Sequence, residues 1–178
     1  FQPDAGQTGC LAASQGSFVP SPGSSSQTPC PKGKFQSAEG QTDCTDAMPG
    51  HHVPGEGALS QTSCSVGTYQ PDSGSDGCID ASAGNFVGQP GSPAQTPCQP
   101  GSFQPESGRS WCKNAEPGYF VEEAGSIKQT KCPSGYDQED GGQAECNKIE
   151  RPLWMTVLMF GVPAVVLGTM AVLYISSS

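Results

Sequence analysis

The chain has 178 residues, of which 24 are glycine, 17 are proline and only 7% are aromatic. The first 152 residues contain no long apolar run, which argues against one large hydrophobic core in that part. All charged residues precede position 153 and give a net charge of −9. This charge disfavours nucleic acid and anionic lipid as partners and leaves a basic protein surface as a candidate.

Residues 1–146 repeat at an interval of 17 residues, each repeat carrying two fixed glycines. A fixed interval of this length predicts a stacked array in which each repeat contacts mainly its neighbours. Two residues after the first glycine lies an aromatic position, at which only His52 and Asp137 are not aromatic. The first glycines are Gly16, Gly33, Gly50, Gly67, Gly84, Gly101, Gly118 and Gly135, and the second glycines are Gly6, Gly23, Gly40, Gly57, Gly74, Gly91, Gly108, Gly125 and Gly142.

The cysteines follow the same register. We define a start position, three residues before the first glycine, and an end position, four residues after the second. Alternate repeats have alanine and glutamine at these two positions, as at Ala47 and Gln61. The other repeats have cysteine at both, namely Cys30/Cys44, Cys64/Cys78, Cys98/Cys112 and Cys132/Cys146.

Cysteines that are present or absent as pairs within a repeat predict bonds within that repeat. A rival scheme, Cys10–Cys30 and Cys44–Cys64 continued along the chain, would leave Cys146 without a partner. Cys10 occupies an end position, and its start position would lie before Phe1. We therefore expect Cys10 to be unpaired in this chain. Either the chain is the tail of a longer array, or Cys10 is a free thiol in a frayed first repeat.

Each repeat is expected to form a short β-hairpin, with a second glycine such as Gly40 supplying a positive φ at the bend. The expected fold is thus a small disulfide-rich β array, an elongated solenoid or rod, with one aromatic residue in each small cluster. Each disulfide-closed loop contributes roughly 3 kcal/mol in the chain-entropy model. Such bonds require an oxidising compartment, which places this part outside the cytosol.

Cys64, Gly67, Tyr69, Gly74 and Cys78 follow the pattern Cys-x-x-Gly-x-(Phe/Tyr)-x-x-x-x-Gly-x-x-x-Cys. This pattern resembles the ephrin-receptor-like cysteine-rich repeat and, more distantly, the cysteine-rich modules of tumour-necrosis-factor receptors. The resemblance covers residues 1–146 and implies an elongated, disulfide-braced extracellular rod without catalytic activity. The chain departs from the family in lacking the second cysteine pair in every other repeat.

Residues 147–152 form a short polar neck, and residues 153–175 contain no charged residue. At 1.5 Å per residue this second segment would be about 35 Å long as a helix, enough to span a bilayer. Trp154 and Tyr174 stand near its two ends, where aromatic side chains favour the membrane interfaces. We therefore predict one transmembrane helix, with residues 176–178 as a short cytosolic or stromal tail.

Small residues within this segment predict a face that another helix can approach closely. They are Gly161, Ala164, Gly168 and Ala171. The alternative is that glycine and proline are simply more common in membrane helices than in soluble ones. The absence of ionisable side chains from the segment argues against an ion path or proton relay.

The sequence predicts no catalytic site, no metal site and no cofactor. His51 and His52 are adjacent, but two adjacent histidines without nearby cysteine or carboxylate ligands rarely form a metal site, and His52 falls on the aromatic position. We therefore interpret His52 as a packing residue. The acidic pairs, such as Glu122–Glu123, lack the spacing of a calcium loop.

Two functions fit these features. The first is a structural accessory subunit whose helix packs in a larger membrane complex while the array covers its lumenal or extracellular face, with a photosynthetic or respiratory assembly as one candidate host. The uncharged helix and the lack of an N-glycosylation acceptor favour it. The alternative is a cell-surface adhesion or receptor-like stalk, which the family resemblance favours.

Overall fold

A computed structural model of the chain describes residues 1–3 and 8–150. Within these residues the chain forms eight two-stranded antiparallel hairpins in succession, one in each 17-residue repeat from residue 13 to residue 148, so the predicted hairpin array is confirmed. The paired strands are β1 (Ser17–Phe18) with β2 (Thr28–Pro29), β3 (Lys34–Phe35) with β4 (Thr45–Asp46), β5 (His51–His52) with β6 (Thr62–Ser63), β7 (Thr68–Tyr69) with β8 (Ile79–Asp80), β9 (Asn85–Phe86) with β10 (Thr96–Pro97), β11 (Ser102–Phe103) with β12 (Lys113–Asn114), β13 (Tyr119–Phe120) with β14 (Thr130–Lys131), and β15 (Tyr136–Asp137) with β16 (Asn147–Lys148).

A glycine turn leads into the first strand of every hairpin. In the third repeat the N–H of His51 donates to the carbonyl of Met48 at 2.9 Å, and Gly50 between them has a φ of 80°. Pro49 and Gly50 occupy the two central positions, as in a type II turn, in which the second central residue has a positive φ. The second glycines from Gly23 to Gly142 also have positive φ, which confirms the prediction for Gly40, with a φ of 71°.

Three backbone hydrogen bonds join each repeat to a neighbour, and they recur at constant spacing. The N–H of Gly33 donates to the carbonyl of Val53 at 2.9 Å, and the N–H of Gln36 donates to Ala58 at 3.0 Å. In the opposite direction, the N–H of Gly57 donates to the carbonyl of Cys30 at 2.8 Å. Because all three bonds cross a repeat boundary, they stack the hairpins in one fixed register.

The first glycines allow repeats that are two apart to touch. A Cβ added to Gly33 would lie 1.9 Å from the carbonyl oxygen of Gly74, and one added to Gly84 would lie 2.0 Å from that of Gly125. Real Cβ atoms do not approach a carbonyl oxygen so closely. The register of the array therefore requires glycine here for its lack of a side chain as well as for its positive φ.

The buried core is a row of small residues rather than of aromatic ones. The start positions from Ala13 to Ala115 are at most 3% exposed, whereas Phe35, Tyr69 and Phe103 are only half-buried. The row also includes the residue three after the first glycine, which we call the inner position. The expectation that aromatic side chains centre the clusters is corrected, because close backbone stacking leaves room inside only for small or slender side chains.

The final hairpin extends into residues 147–152, the segment predicted to be a polar neck. Its strand β16, Asn147–Lys148, lies immediately after the end-position residue Cys146, as the second strand does in every other repeat. Among residues 1–3 and 8–150, no helix has the length and apolar character needed to cross a bilayer. The predicted membrane segment, residues 153–175, lies outside the described residues.

Candidate functional site

The disulfides lie along one row of the array, each within a single repeat. Every bonded pair has a Cα–Cα distance of 5.8 Å, within the range typical of disulfides. Cys10 is exposed and has no disulfide partner among the described residues, its thiol lying 3.8 Å from the side-chain oxygen of Gln2. The four bonds are Cys30–Cys44, Cys64–Cys78, Cys98–Cys112 and Cys132–Cys146.

Repeats without cysteines close the equivalent loop with a hydrogen bond. The end-position glutamine extends its side-chain oxygen to the backbone N–H of the residue that follows the start-position alanine. Gln61 accepts such a bond from Met48 at 2.7 Å. The same bond joins Gln27 to Ser14, Gln95 to Ser82 and Gln129 to Glu116, at 2.7 to 2.8 Å.

The inner position alternates with the crosslinks. It is valine in the repeats without cysteines and glutamine in those with them. Gln104 is completely buried: its Nε2 donates to the carbonyl of Trp111 at 2.8 Å, and its Oε1 accepts from the N–H of Glu106 at 3.2 Å. The other inner-position glutamines make the same seven-residue reach, from Gln36 to Asp43, Gln70 to Gly77 and Gln138 to Glu145.

The inner-position glutamines are structural residues that our sequence analysis missed. A buried amide is stable only when its donors and acceptors are paired, and here they pair with the backbone of the loop that the disulfide closes. Alternation of valine and glutamine in step with the cysteines was the signal that could have identified them. Their polar groups are occupied in holding the fold together and are not free for ligand binding.

His52 lies against a disulfide of the following repeat, although the two are far apart in sequence. Its Nδ1 is 3.2 Å from the Sγ of Cys78, and these atoms lie within 4.8 Å of the Sγ of Cys64. The adjacent His51 contacts the hydroxyl of Ser63 at 3.0 Å instead. The inference that no cysteine lies near His52 is therefore wrong, since stacking brings the two repeats together.

Charged side chains form two exposed ion pairs among the described residues. Lys34 Nζ lies 2.9 Å from Asp46 Oδ1, and this hydrogen bond raises the pKa of the Lys34 ammonium. Arg109 donates to Glu106 and lowers the pKa of that carboxyl. Both pairs are solvated, and exposed ion pairs contribute little to stability. They are not candidates for acid–base chemistry.

Trp154, Gly161, Ala164, Gly168, Ala171 and Tyr174 all lie outside the described residues. Their proposed packing and interface roles stay predictions.

No protein-family model matches this chain. No curated protein matches its sequence significantly either. The functional proposal therefore rests on the repeat geometry, on the crosslinked row, and on the composition of residues 153–175.

Proposed function

We propose that this protein is a non-catalytic, single-pass membrane protein that serves as a structural accessory subunit. In this proposal residues 153–175 cross the bilayer and pack against other subunits of a larger complex. The array lies in an oxidising exoplasmic or lumenal compartment, over one face of that complex. The observation that carries the proposal is the series of exposed apolar side chains that the hydrogen-bonded array presents along its length.

The register of hydrogen bonds between repeats favours a stiff arm over a string of hinged modules. Each repeat from residue 13 onward is bonded by its backbone to the next, and the bonds keep the same spacing from Gly16 to Gly142. Repeats of this kind contact only near neighbours, so stability and shape extend along the chain axis. An elongated rod is the form that such stacking supports.

The array also offers contacts along its length. Met48, Leu59, Trp111 and Ile127 each expose between 50% and 56% of their surface, and they lie in three different repeats. Methionine and aromatic side chains are enriched at protein interfaces. Anchors spread in this way suit a long, shallow contact with a larger partner better than a single enclosed ligand pocket.

Co-migration with a large complex tests the proposal. The full chain, extracted from its native membrane with a mild detergent, should run on a native gel with other proteins in one large assembly. The double variant Ala164→Leu/Gly168→Leu should lose this co-migration while remaining in the membrane, because bulky residues block close helix approach. Migration of the unaltered chain alone would contradict the accessory role.

A second candidate is a stalk that holds a surface feature away from a membrane. The self-contained bonding of each repeat to the next favours it, because such an array needs no partner surface to keep its shape. Migration alone on the native gel, together with an extended shape in solution, would select this function. A compact body of 150 residues has a radius of gyration of about 15 Å, so scattering from the array should give a clearly larger value.

A further inference from the structure

The disulfide Cys64–Cys78 differs from the other three in the side chain at the aromatic position of the preceding repeat. The aromatic position of each uncrosslinked repeat is 26 residues before the end-position cysteine of the next repeat. Phe18, Phe86 and Phe120 hold this position before three of the disulfides. Before the fourth it is His52, whose Nδ1 lies 3.2 Å from the Sγ of Cys78.

The substitution places a metal-binding nitrogen beside two metal-binding sulfurs. The ligand atoms of His52, Cys64 and Cys78 all lie within 4.8 Å of one another. Imidazole nitrogen and thiolate sulfur are the preferred protein ligands of Zn²⁺, at about 2.0–2.1 Å and about 2.3 Å respectively. In the structure the two sulfurs are bonded to each other, so this ligand set becomes available only after reduction.

We propose that His52, Cys64 and Cys78 form a redox-gated site for one Zn²⁺ ion. The oxidised repeat is crosslinked and does not bind the metal. The reduced repeat holds Zn²⁺ through one imidazole and two thiolates, with a fourth position open to water, and the metal takes over the crosslink between Cys64 and Cys78.

The gating step is a thiol–disulfide exchange with a dithiol reductant. The S–S bond of Cys64–Cys78 breaks, and the dithiol gives up two electrons and two protons as its own sulfurs join in a disulfide. The two cysteines are then thiols. Binding of Zn²⁺ forms two Zn–S bonds and releases the two thiol protons, because thiolate is the form that binds metal.

The fold can keep the three ligands in place after reduction. Uncrosslinked repeats form the same hairpin without any disulfide. The two repeats that flank Cys64–Cys78, which begin at Ala47 and Ala81, are of this kind. The repeat of Cys64 is also tied to its neighbours by backbone bonds, including Gly67 to Val87 and Gly91 to Cys64, both 2.8 Å. Reduction therefore removes one crosslink from a repeat that other bonds still hold.

Metal titration of the partly reduced protein tests the site. The full chain in detergent is treated with enough of a phosphine to reduce Cys64–Cys78 in every chain, and the phosphine is oxidised to its oxide as water supplies the oxygen. After removal of the phosphine without oxygen, Co²⁺ is added as a spectroscopic probe. We expect one Co²⁺ per chain with thiolate-to-metal charge-transfer absorption, displaced by an equivalent of Zn²⁺, and an unchanged circular dichroism spectrum.

Two variants provide the controls. His52→Phe restores the residue found at the equivalent positions, and it should weaken binding by more than about tenfold, since even outer-shell partners change metal affinity roughly 10- to 100-fold. The variant Cys64→Ala/Cys78→Gln adopts the residues of the uncrosslinked repeats and should abolish the charge-transfer band. Binding by either variant as tight as that of the unaltered chain would overturn the proposal, as would failure of the reduced chain to bind or loss of its fold on reduction.

Phe86→His tests whether a second metal site can be introduced. It places an imidazole before Cys98–Cys112 in the same register, and we expect the reduced variant to bind a second Co²⁺ ion per chain. Binding of only one ion would contradict the role assigned to the aromatic position.

Discussion

The side chain of Gln61 accepts a hydrogen bond from the backbone N–H of Met48 at 2.7 Å. This bond closes a loop equivalent to the one that the disulfide Cys64–Cys78 closes in the next repeat. The two kinds of closure alternate along the array. Both hold the end position against the start of its own repeat. A covalent bond and a hydrogen bond thus perform the same structural task in a common backbone.

This equivalence predicts that an uncrosslinked repeat can accept a disulfide. In Ala47→Cys/Gln61→Cys the two introduced cysteines should bond, since the equivalent positions of the crosslinked repeats have a Cα–Cα distance of 5.8 Å. The free energy of unfolding should rise by up to about 3 kcal/mol. Peptide mapping without reduction identifies the bond, and thermal unfolding measures its effect. Ala47→Cys alone is the control and should give no gain.

The reverse exchange should retain part of the stability. Cys98→Ala/Cys112→Gln removes a disulfide but supplies a glutamine at the end position, whereas Cys98→Ala/Cys112→Ala supplies nothing. Both variants should lose roughly 3 kcal/mol of loop constraint, and the glutamine should recover about 1 kcal/mol of it through its backbone bond. Denaturant unfolding compares the two, and equal stability would show that the glutamine bond is not equivalent.

The sequence predicted what each repeat contains better than how the repeats stack. The fixed glycines and the paired cysteines identify equivalent positions within a repeat, so hairpins and their bends could be predicted from them. No residue pattern in the sequence indicates the offset between neighbouring repeats. The contact between His52 and Cys78 depends on that offset and could not be read from the 17-residue interval.

The inner position was missed for a related reason. A glutamine such as Gln70 looks like a surface residue in a polar repeat, and its burial follows from the loop that wraps around it. The aromatic residues were predicted to form the core because large apolar side chains usually occupy core positions. Here the backbones approach so closely that alanine, cysteine and glycine fill the interior together with the slender inner-position side chains, and the rings lie half-buried at its edge.

The first glycines should tolerate substitution only where no repeat follows two positions later. Gly84→Ala places a methyl group 2.0 Å from the carbonyl oxygen of Gly125, whereas Gly118→Ala meets no atom of the described residues within 4 Å. Both residues have a φ near 80°, so both variants carry the penalty of about 1–2 kcal/mol for a left-handed alanine. Gly84→Ala should cost several kcal/mol more, as measured by urea unfolding. Similar losses for the two variants would argue against close stacking.

Gln104 should be necessary for the loop that it spans. Gln104→Val introduces the residue found at the inner position of uncrosslinked repeats, but it leaves the carbonyl of Trp111 and the N–H of Glu106 without their partner. Each intramolecular hydrogen bond contributes about 0.5–1.5 kcal/mol, so we expect the loss of these two part-buried bonds to cost roughly 1–3 kcal/mol. Hydrogen exchange at the Glu106 amide should accelerate more than exchange in the neighbouring repeats, which separates loss of the bond from a general loosening of the core. Gln41→Val is the matched control, because the exposed side chain of Gln41 bonds to the nearby carbonyl of Glu39, and this variant should change stability by less than about 0.5 kcal/mol.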